Sequence, residues 1–166
     1  MVLTSFRTRM GWIAILANTH ALIGMTLPRA SRRAALDELR AEFHCDPPLD
    51  ENAITRRTRQ KLDRYFDGQP TRFDDLTCDD SRATDFQRRV WQLTRAIPYG
   101  ATRTYQDIAR AAGRPNAARA IGQCMAKNPL PIIIPCHRVV GSAGDLRGFG
   151  GGLPMKRALL KMEGAL

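Results

Sequence analysis

Prolines break the second half of this chain of 166 residues into short segments. Four of the six prolines in this half, Pro98, Pro115, Pro129 and Pro154, each stand within two residues of a glycine or an asparagine. Because proline has no backbone N–H and disfavours a helical conformation in the residue before it, no regular helix continues through these points. The second half of the chain is therefore limited to short helices joined by turns.

Helix signals fill the intervals between these breaks. Thr84 begins one helix in a capping-box pattern, and Thr104 is predicted to cap a second helix at residues 105–112. Asn116 is predicted to cap a third helix at residues 117–127. The short turn between the second and third helices is typical of a helix-turn-helix.

The most apolar stretch of the chain, PIIIPCHRVV, occupies residues 131–140. A short buried strand is predicted at residues 130–134, and it leads directly to Cys136. A last helix is expected to begin near Pro154 and to carry Glu163 close to its end. The segment thus places a reactive thiol next to a core element.

The first half has a different pattern. Residues 1–30 indicate a meander of strands with a polar turn at 18–20, and two helices follow, one capped by Ser31 and one near residues 54–67. Residues 69–82 are polar and are predicted to form a linker. We therefore expect an α+β fold of two small domains, residues 1–80 and 81–166, the second mostly helical.

Charge separates the same two halves. Residues 1–80 contain 12 Lys and Arg and 12 Asp and Glu, whereas residues 81–166 contain 14 and four, so the whole excess of +10 lies in the second half. A basic domain that contains a helix-turn-helix indicates a polyanionic partner, most often nucleic acid. A solvated arginine-rich surface is the alternative interpretation.

The four cysteines, at positions 45, 78, 124 and 136, have neither the paired spacing of a disulfide framework nor that of a zinc site. His20, His44, Cys45 and Cys78 are the side chains that could otherwise converge on a metal, but scattered structural roles are expected for them. The apolar run at 11–17 is too short to span a membrane. A reducing cytoplasmic location is predicted.

Cys136 is the candidate nucleophile, and structural burial is its alternative role. A thiol attacks as thiolate, so it requires a proton acceptor such as the adjacent His137, oriented by an acid. Asp107, Asp145 and Glu163 are the acids available for this purpose. The residues alone also leave open a thiol hydrolase, or a DNA-binding regulator in which Cys136 is only packing.

The strings NPLPIIIPCHRVV, TYQDIA, NAARAIG and GFGGGLPMKRALLKMEG, which lie between residues 84 and 164, closely resemble the methylated-DNA–protein-cysteine methyltransferases in their bacterial single-protein form. The resemblance implies a ribonuclease-H-like first domain with a short antiparallel sheet. It also implies direct-reversal repair: the protein flips an O6-alkylguanine out of double-stranded DNA and transfers the alkyl group irreversibly to Cys136. No cofactor or metal is implied. A monomer in solution is expected, with cooperative assembly on DNA left open.

The resemblance also assigns roles to individual residues. Cys136 accepts the alkyl group, His137 takes the thiol proton through a water under the influence of Glu163, and Asn128 braces the cysteine turn. Arg119 fills the space left by the flipped base, on a helix that enters the minor groove through its small residues Ala117, Ala118, Ala120 and Gly122. The substrate pocket is formed by Tyr105, Met125, Val139, Phe149 and Gly150. Phe149 stands where many relatives have tyrosine, so one possible hydrogen bond is lost and the preference among alkyl groups is expected to shift. Gly150 stands where some relatives have a larger residue, which indicates a roomier pocket.

Overall fold

Two units make up the chain in a computed structural model that describes residues 1–166, namely Met1–Asp80 and Ser81–Leu166. Both units mix helices with small sheets. The predicted α+β class is therefore confirmed. None of the six α-helices has the length and hydrophobicity needed to cross a bilayer.

The first unit is built on a three-stranded antiparallel sheet of β1 (Val2–Thr8), β2 (Gly11–Ala17) and β3 (Leu22–Met25), with β2 in the centre. Residues 13–17 of β2 are all buried, as expected for a central strand. The Asn18 side chain accepts the N–H groups of His20 and Ala21 at 2.7 and 2.8 Å. This bond pair fixes the predicted polar turn between β2 and β3.

Two helices complete this unit, α1 (Arg32–Phe43) and α2 (Ala53–Phe66). The Ser31 hydroxyl accepts the N–H of Ala34, which confirms the predicted cap. The start of α2 is fixed by a capping box between Asn52 and Thr55 that the sequence reading did not identify.

The predicted linker at residues 69–82 is wrong for most of its length. Phe73 and Leu76 are buried in the first unit. The backbone of Leu22 in β3 donates to Thr77 at 2.9 Å and accepts from Asp79 at 2.7 Å. The many Asp and Thr residues indicated a solvated segment, but two apolar side chains and this backbone pairing hold it against the sheet.

The second unit contains four α-helices and one two-stranded parallel ladder. The helices are α3 (Asp85–Arg95), α4 (Tyr105–Ala111), α5 (Ala118–Ala126) and α6 (Leu153–Met162). The ladder pairs β4 (Arg103–Thr104) with β5 (Val139–Val140). Capping boxes of Thr84 with Gln87 and of Thr104 with Asp107 begin α3 and α4. The first box was predicted, and for the second only the cap by Thr104 was predicted.

The predicted cap of α5 is wrong. Ala117, not Asn116, is the N-cap residue, and no side chain bonds to the first turn of the helix. The N–H of Ala117 donates to the Arg114 carbonyl at 2.9 Å. This turn includes Ala117, so the helix begins one residue later than predicted, at Ala118, and Asn116 precedes the capping position.

The predicted strand at residues 130–134 is also wrong. This stretch is buried, but it forms a turn in which the N–H of Ile134 donates to the Leu130 carbonyl at 2.8 Å. Ile132 has φ of +74°, a conformation that costs a β-branched residue roughly 1–3 kcal/mol. Pro129 and Pro131 cannot donate to a strand ladder, and the surrounding core holds the turn instead.

Candidate active site

Cys136 lies at the first position of a 3-10 turn, residues 136–138, directly after the strained turn. Its N–H donates to the Ile134 carbonyl at 2.7 Å, and its carbonyl accepts the N–H of Val139. The residue is only 8% exposed and belongs to a core cluster with Val90, Ile108 and Ile121. The thiol is thus held by backbone bonds on both sides and is shielded from bulk water.

Asn128 fixes the turn that leads to the thiol. Its amide nitrogen donates to the Ile134 carbonyl at 2.8 Å, and its amide oxygen accepts the N–H of Leu130 at 3.0 Å. The side chain therefore closes the turn from both ends, at a place where the backbone is strained. The bracing position predicted for Asn128 agrees with these bonds.

Glu163 is the acid that contacts His137. Its Oε1 lies 2.7 Å from His137 Nε2, and both side chains are wholly buried. The two other candidate acids are used elsewhere: Asp107 accepts the N–H of Thr104 in the cap of α4, and Asp145 pairs with Arg147. Glu163 is the C-cap residue of α6, so the end of a helix delivers the carboxylate to the 3-10 turn.

Arg138 is a second partner of the same carboxylate. Its Nε and Nη2 donate to the two oxygens of Glu163 at 2.9 and 3.1 Å, and its Nη1 donates to the Ile97 carbonyl at 2.6 Å. Sequence reasoning assigned no specific contact to Arg138. This fork-to-fork pairing balances the charge of Glu163 inside the core and fixes its orientation.

These contacts shift the ionisation of the whole group. Burial opposes the charged form of Glu163, but the hydrogen bonds from His137 and Arg138 outweigh it and lower the pKa of Glu163 from 4.5 to about 2. Burial lowers the pKa of His137, although Glu163 opposes this shift. The pKa of the Cys136 thiol is raised by burial and lowered in part by Asn128 and Lys156. Glu163 is thus a permanent carboxylate, whereas His137 is a neutral ring ready to accept a proton.

Lys156 is a residue of this site that sequence reasoning missed. It is wholly buried, and its Nζ donates to the Val139 carbonyl at 2.6 Å and to the Arg147 carbonyl at 2.9 Å. A signal was present in the sequence: positions 156, 159, 160 and 163 share one face of α6, and two of them are leucines that face the core. The same spacing that buries Leu159 and Leu160 also buries Lys156 and Glu163.

The structure gathers four of the five predicted pocket residues around the thiol. Met125 and Val139 belong to the same buried cluster as Cys136, and Tyr105 and Phe149 pack against that cluster. Gly150, the fifth, is exposed, and a side chain added there would meet no atom within 4 Å. Gly150 is therefore not among the residues that pack on this cluster.

The predicted DNA-contacting residues surround the beginning of α5. Arg119 is exposed there, while Ala117, Ala118 and Ala120 are half-buried. Gly122 lies at the limit of contact with Tyr105, since a Cβ built on it would stand 4.0 Å from that ring. The start of α5 therefore presents one long cationic side chain, Arg119, on a surface of very small side chains. This surface adjoins Tyr105, which packs on the cluster that contains Cys136.

No group of three or more His, Cys, Asp or Glu side chains is placed to hold a metal ion, and none of the four cysteines forms a disulfide. The chemistry open to the site is that of a buried thiol, a neutral histidine and a fixed carboxylate. Such a group can transfer a proton from sulfur to nitrogen and leave a thiolate in a dry pocket. This chemistry suits attack on an electrophilic carbon.

Comparison with known proteins agrees with this chemistry. A family model described as the DNA-binding domain of 6-O-methylguanine DNA methyltransferase matches residues 85–165. The methylated-DNA–protein-cysteine methyltransferase of Mycobacterium tuberculosis H37Rv is 52% identical over 124 residues, which cover 75% of this chain and 71% of that protein. The protein of the same name from Methanosarcina barkeri is 44% identical over 131 residues, covering 77% and 82% of the two chains.

A solved structure extends the match to both units. Mycobacterium tuberculosis OGT in complex with DNA has a TM-score of 0.80 and 35% identity, and the match covers 99% of this chain and 94% of that one. The resemblance carried by the short strings between residues 84 and 164 is therefore confirmed at the level of whole chains. The chain belongs to the methylated-DNA–protein-cysteine methyltransferase family.

Proposed function

We propose that this protein repairs O6-alkylguanine in double-stranded DNA by transferring the alkyl group to Cys136, once per molecule. The observation that carries the proposal is a single thiol, buried in a core cluster and followed by a histidine whose ring is fixed by a buried carboxylate. Membership of the family, and the solved complex of the Mycobacterium tuberculosis OGT with DNA, support the same reaction. A cytoplasmic location remains a prediction, in line with four cysteines that form no disulfide.

The reaction follows from the geometry. His137 takes the thiol proton, and the Glu163 carboxylate, held in place by Arg138, stabilises the ring while it carries that proton. The Cys136 thiolate attacks the alkyl carbon, the new S–C bond forms and the C–O6 bond breaks. Guanine leaves with the proton that the thiol has lost, so the atoms and charges balance. The thioether has no route back to a thiol at this site, and the protein is consumed.

The surroundings favour this attack over reaction with dissolved electrophiles. Asn128 and the backbone bonds of Cys136 fix the line of approach, which lowers the entropic part of the barrier. Met125, Val139 and Phe149 form apolar walls, and Tyr105 stands beside the entrance, where its hydroxyl can meet the base once it leaves its present acceptor, the Arg147 carbonyl. A flipped base is thus the substrate that this pocket suits best.

DNA contact is assigned to α5 and the basic second unit. Half-buried alanines at the start of the helix allow close approach to a groove, and Arg119 is the long side chain that can enter the base stack. The 14 Lys and Arg against four Asp and Glu in residues 81–166 supply attraction to phosphates. Binding of single molecules, with or without cooperation on DNA, is compatible with this surface.

The proposed reaction is tested by intact mass before and after incubation with a duplex that carries one O6-methylguanine. We expect a gain of one methyl group on the peptide that contains Cys136, and no further repair after one equivalent. A duplex with unmodified guanine is the control and should leave the mass unchanged. A protein that binds the damaged duplex but gains no mass would refute transfer, and repeated turnover would refute the single-use mechanism.

Replacing Arg119 by alanine should slow repair in duplex DNA by about tenfold or more, because the space left by the flipped base is no longer filled. Reaction with free O6-methylguanine base should change little, since no base stack is opened. Single-turnover rates with the two substrates measure the ratio. Arg157→Ala, which removes an exposed charge from α6, is the control for loss of charge alone. Equal losses on both substrates would contradict the role given to Arg119.

A further inference from the structure

Lys156 is a buried cation that the reaction described above does not use. Its side chain is wholly buried, and its two hydrogen-bond acceptors are neutral carbonyls. None of the ion pairs in the second unit involves it. Burying an ammonium that has no carboxylate in direct contact is costly, and a methionine would fill the same volume without this cost. The two bonds to neutral carbonyls offset this cost only in part, which directs attention to other groups near the ammonium.

The position of Lys156 relates it to the nucleophile. Lys156 and Glu163 are seven residues apart on one face of α6, so the helix presents two opposite charges to the segment around the thiol. Glu163 meets His137, and Lys156 meets the carbonyl of Val139. The N–H of Val139 closes the 3-10 turn by bonding to the carbonyl of Cys136. The ammonium is thus bonded to the residue that ends the turn bearing the thiol.

The second acceptor of Lys156 lies in the loop between β5 and α6. The Arg147 carbonyl receives both Lys156 Nζ, at 2.9 Å, and the Tyr105 hydroxyl, at 3.3 Å. Lys156 Nζ also lies 5.8 Å from the centre of the Tyr105 ring. The ammonium therefore contacts three parts of the site: the Arg147 carbonyl in the loop, the Val139 carbonyl in β5 and the ring of Tyr105.

We propose that Lys156 is the counter-cation of the Cys136 thiolate, held in place by its bonds to the Val139 and Arg147 carbonyls. The proposal rests on the function given above, because it assigns a charge to the same transfer step. When His137 takes the thiol proton, the negative charge on sulfur forms beside a fixed positive charge. When the S–C bond forms, the sulfur becomes neutral. Lys156 keeps its protons throughout and acts as a positioning residue.

Electrostatics agree with this assignment. Burial lowers the pKa of Lys156 from 10.5 to about 8, a shift that the charges of Cys136 and Asp145 oppose in part. The converse also holds, since Lys156 lowers the pKa of Cys136 against the effect of burial. The ionisable and charged groups that face Lys156 from the neighbouring elements are Tyr105, Cys136, His137, Asp145 and Arg147.

The test compares Lys156→Met, which keeps the volume, with Lys156→Arg, which keeps the charge. Lys161→Met is the matched control, because it makes the same change at an exposed position of α6. The readout is the pH midpoint of Cys136 alkylation by iodoacetamide, followed by peptide mapping. In Lys156→Met the midpoint should move up by about one pH unit or more, while Lys156→Arg and Lys161→Met stay near the parent protein.

Repair by Lys156→Met should slow by about tenfold, in line with that shift. A folded Met variant with an unchanged midpoint would overturn the proposal. Because iodoacetamide replaces the alkylated base, this readout does not depend on whether the protein acts on DNA. If the midpoint shifts in Lys156→Met but the parent protein does not repair DNA, the proposed function alone is contradicted. If the midpoint of Lys156→Met is unchanged and its repair is normal, the role of Lys156 alone is contradicted.

A second measurement needs no substitution at Lys156 and decides the matter even if the Met variant fails to fold. The chain has four lysines, so the side-chain carbon resonances of ¹³C-labelled lysine can be assigned by single Lys→Arg changes at the other three. The pKa of Lys156 should fall when Cys136 is carbamidomethylated, since the thiolate that favours the ammonium is gone. An identical titration before and after modification would refute the pairing of Lys156 with the thiolate.

Discussion

Cys136→Ser is expected to abolish alkyl transfer while the protein still binds a duplex that contains O6-methylguanine. A serine hydroxyl in this pocket stays protonated, because its pKa lies far above that of a thiol and a neutral His137 cannot remove the proton at rest. The side chains are nearly the same size, so the core cluster and the surface of α5 remain in place. Intact mass and a gel-shift titration measure the two properties on one sample.

The matched control for this variant is Cys124→Ser. Cys124 is also buried and belongs to the same core cluster, but its side chain has no part in the proposed reaction. Its backbone carbonyl accepts the indole N–H of Trp91, and this bond survives a side-chain change. Cys124→Ser should therefore repair DNA normally. Methylation of another residue in Cys136→Ser, or loss of repair in both variants, would contradict Cys136 as the acceptor.

Local signals in the sequence predicted most of the framework of this site. Thr84 and Thr104 begin their helices where the capping patterns placed them, because an N-cap depends on residues only three positions apart. The two strands on either side of Asn18 were predictable for a similar reason, since apolar runs and a polar turn between them are short-range features. The hydrogen bonds that stabilise these caps and this turn join residues only a few positions apart.

The parts that could not be predicted depend on distant contacts. Three isoleucines favour a strand, yet residues 132–134 form a turn. The Ile134 N–H bonds to the Leu130 carbonyl, and the Ile134 carbonyl accepts the Asn128 amide, so this backbone needs no partner strand. The choice of Glu163 over Asp107 and Asp145 was open from the residues alone, since 26 positions separate it from His137. Only the packing of α6 against the 3-10 turn brings the two together.

Replacing Glu163 by glutamine should both slow transfer and destabilise the second unit. The amide keeps the shape of the side chain but leaves the buried Arg138 guanidinium without a counter-charge, which costs about 3–5 kcal/mol. His137 loses the carboxylate that stabilises its protonated ring, so transfer should fall by roughly 10²-fold or more. Denaturant unfolding and single-turnover repair measure the two effects.

The stability difference should depend on pH in a definite direction. The pKa of Glu163 is about 2 in the folded protein and near 4.5 when unfolded, so its contribution, on the order of 3 kcal/mol, is complete above pH 4.5. As the pH falls from 4.5 towards 2, the unfolded chain takes up a proton that the folded one refuses. The parent protein should lose stability across this range, and the advantage over Glu163→Gln should shrink with it.

The measurement can be confined to the second unit. In a Trp12→Phe background, Trp91 is the remaining tryptophan, and its fluorescence reports unfolding of residues 81–166. Asp85→Asn is the control, because Asp85 pairs with Arg88 at a fully exposed position, where solvent screens the interaction. It should leave the acid profile almost unchanged. If Glu163→Gln and the parent protein unfolded in parallel between pH 4.5 and 2, the buried carboxylate would not be the ionised partner of His137 and Arg138, and another group would have to stabilise the protonated histidine.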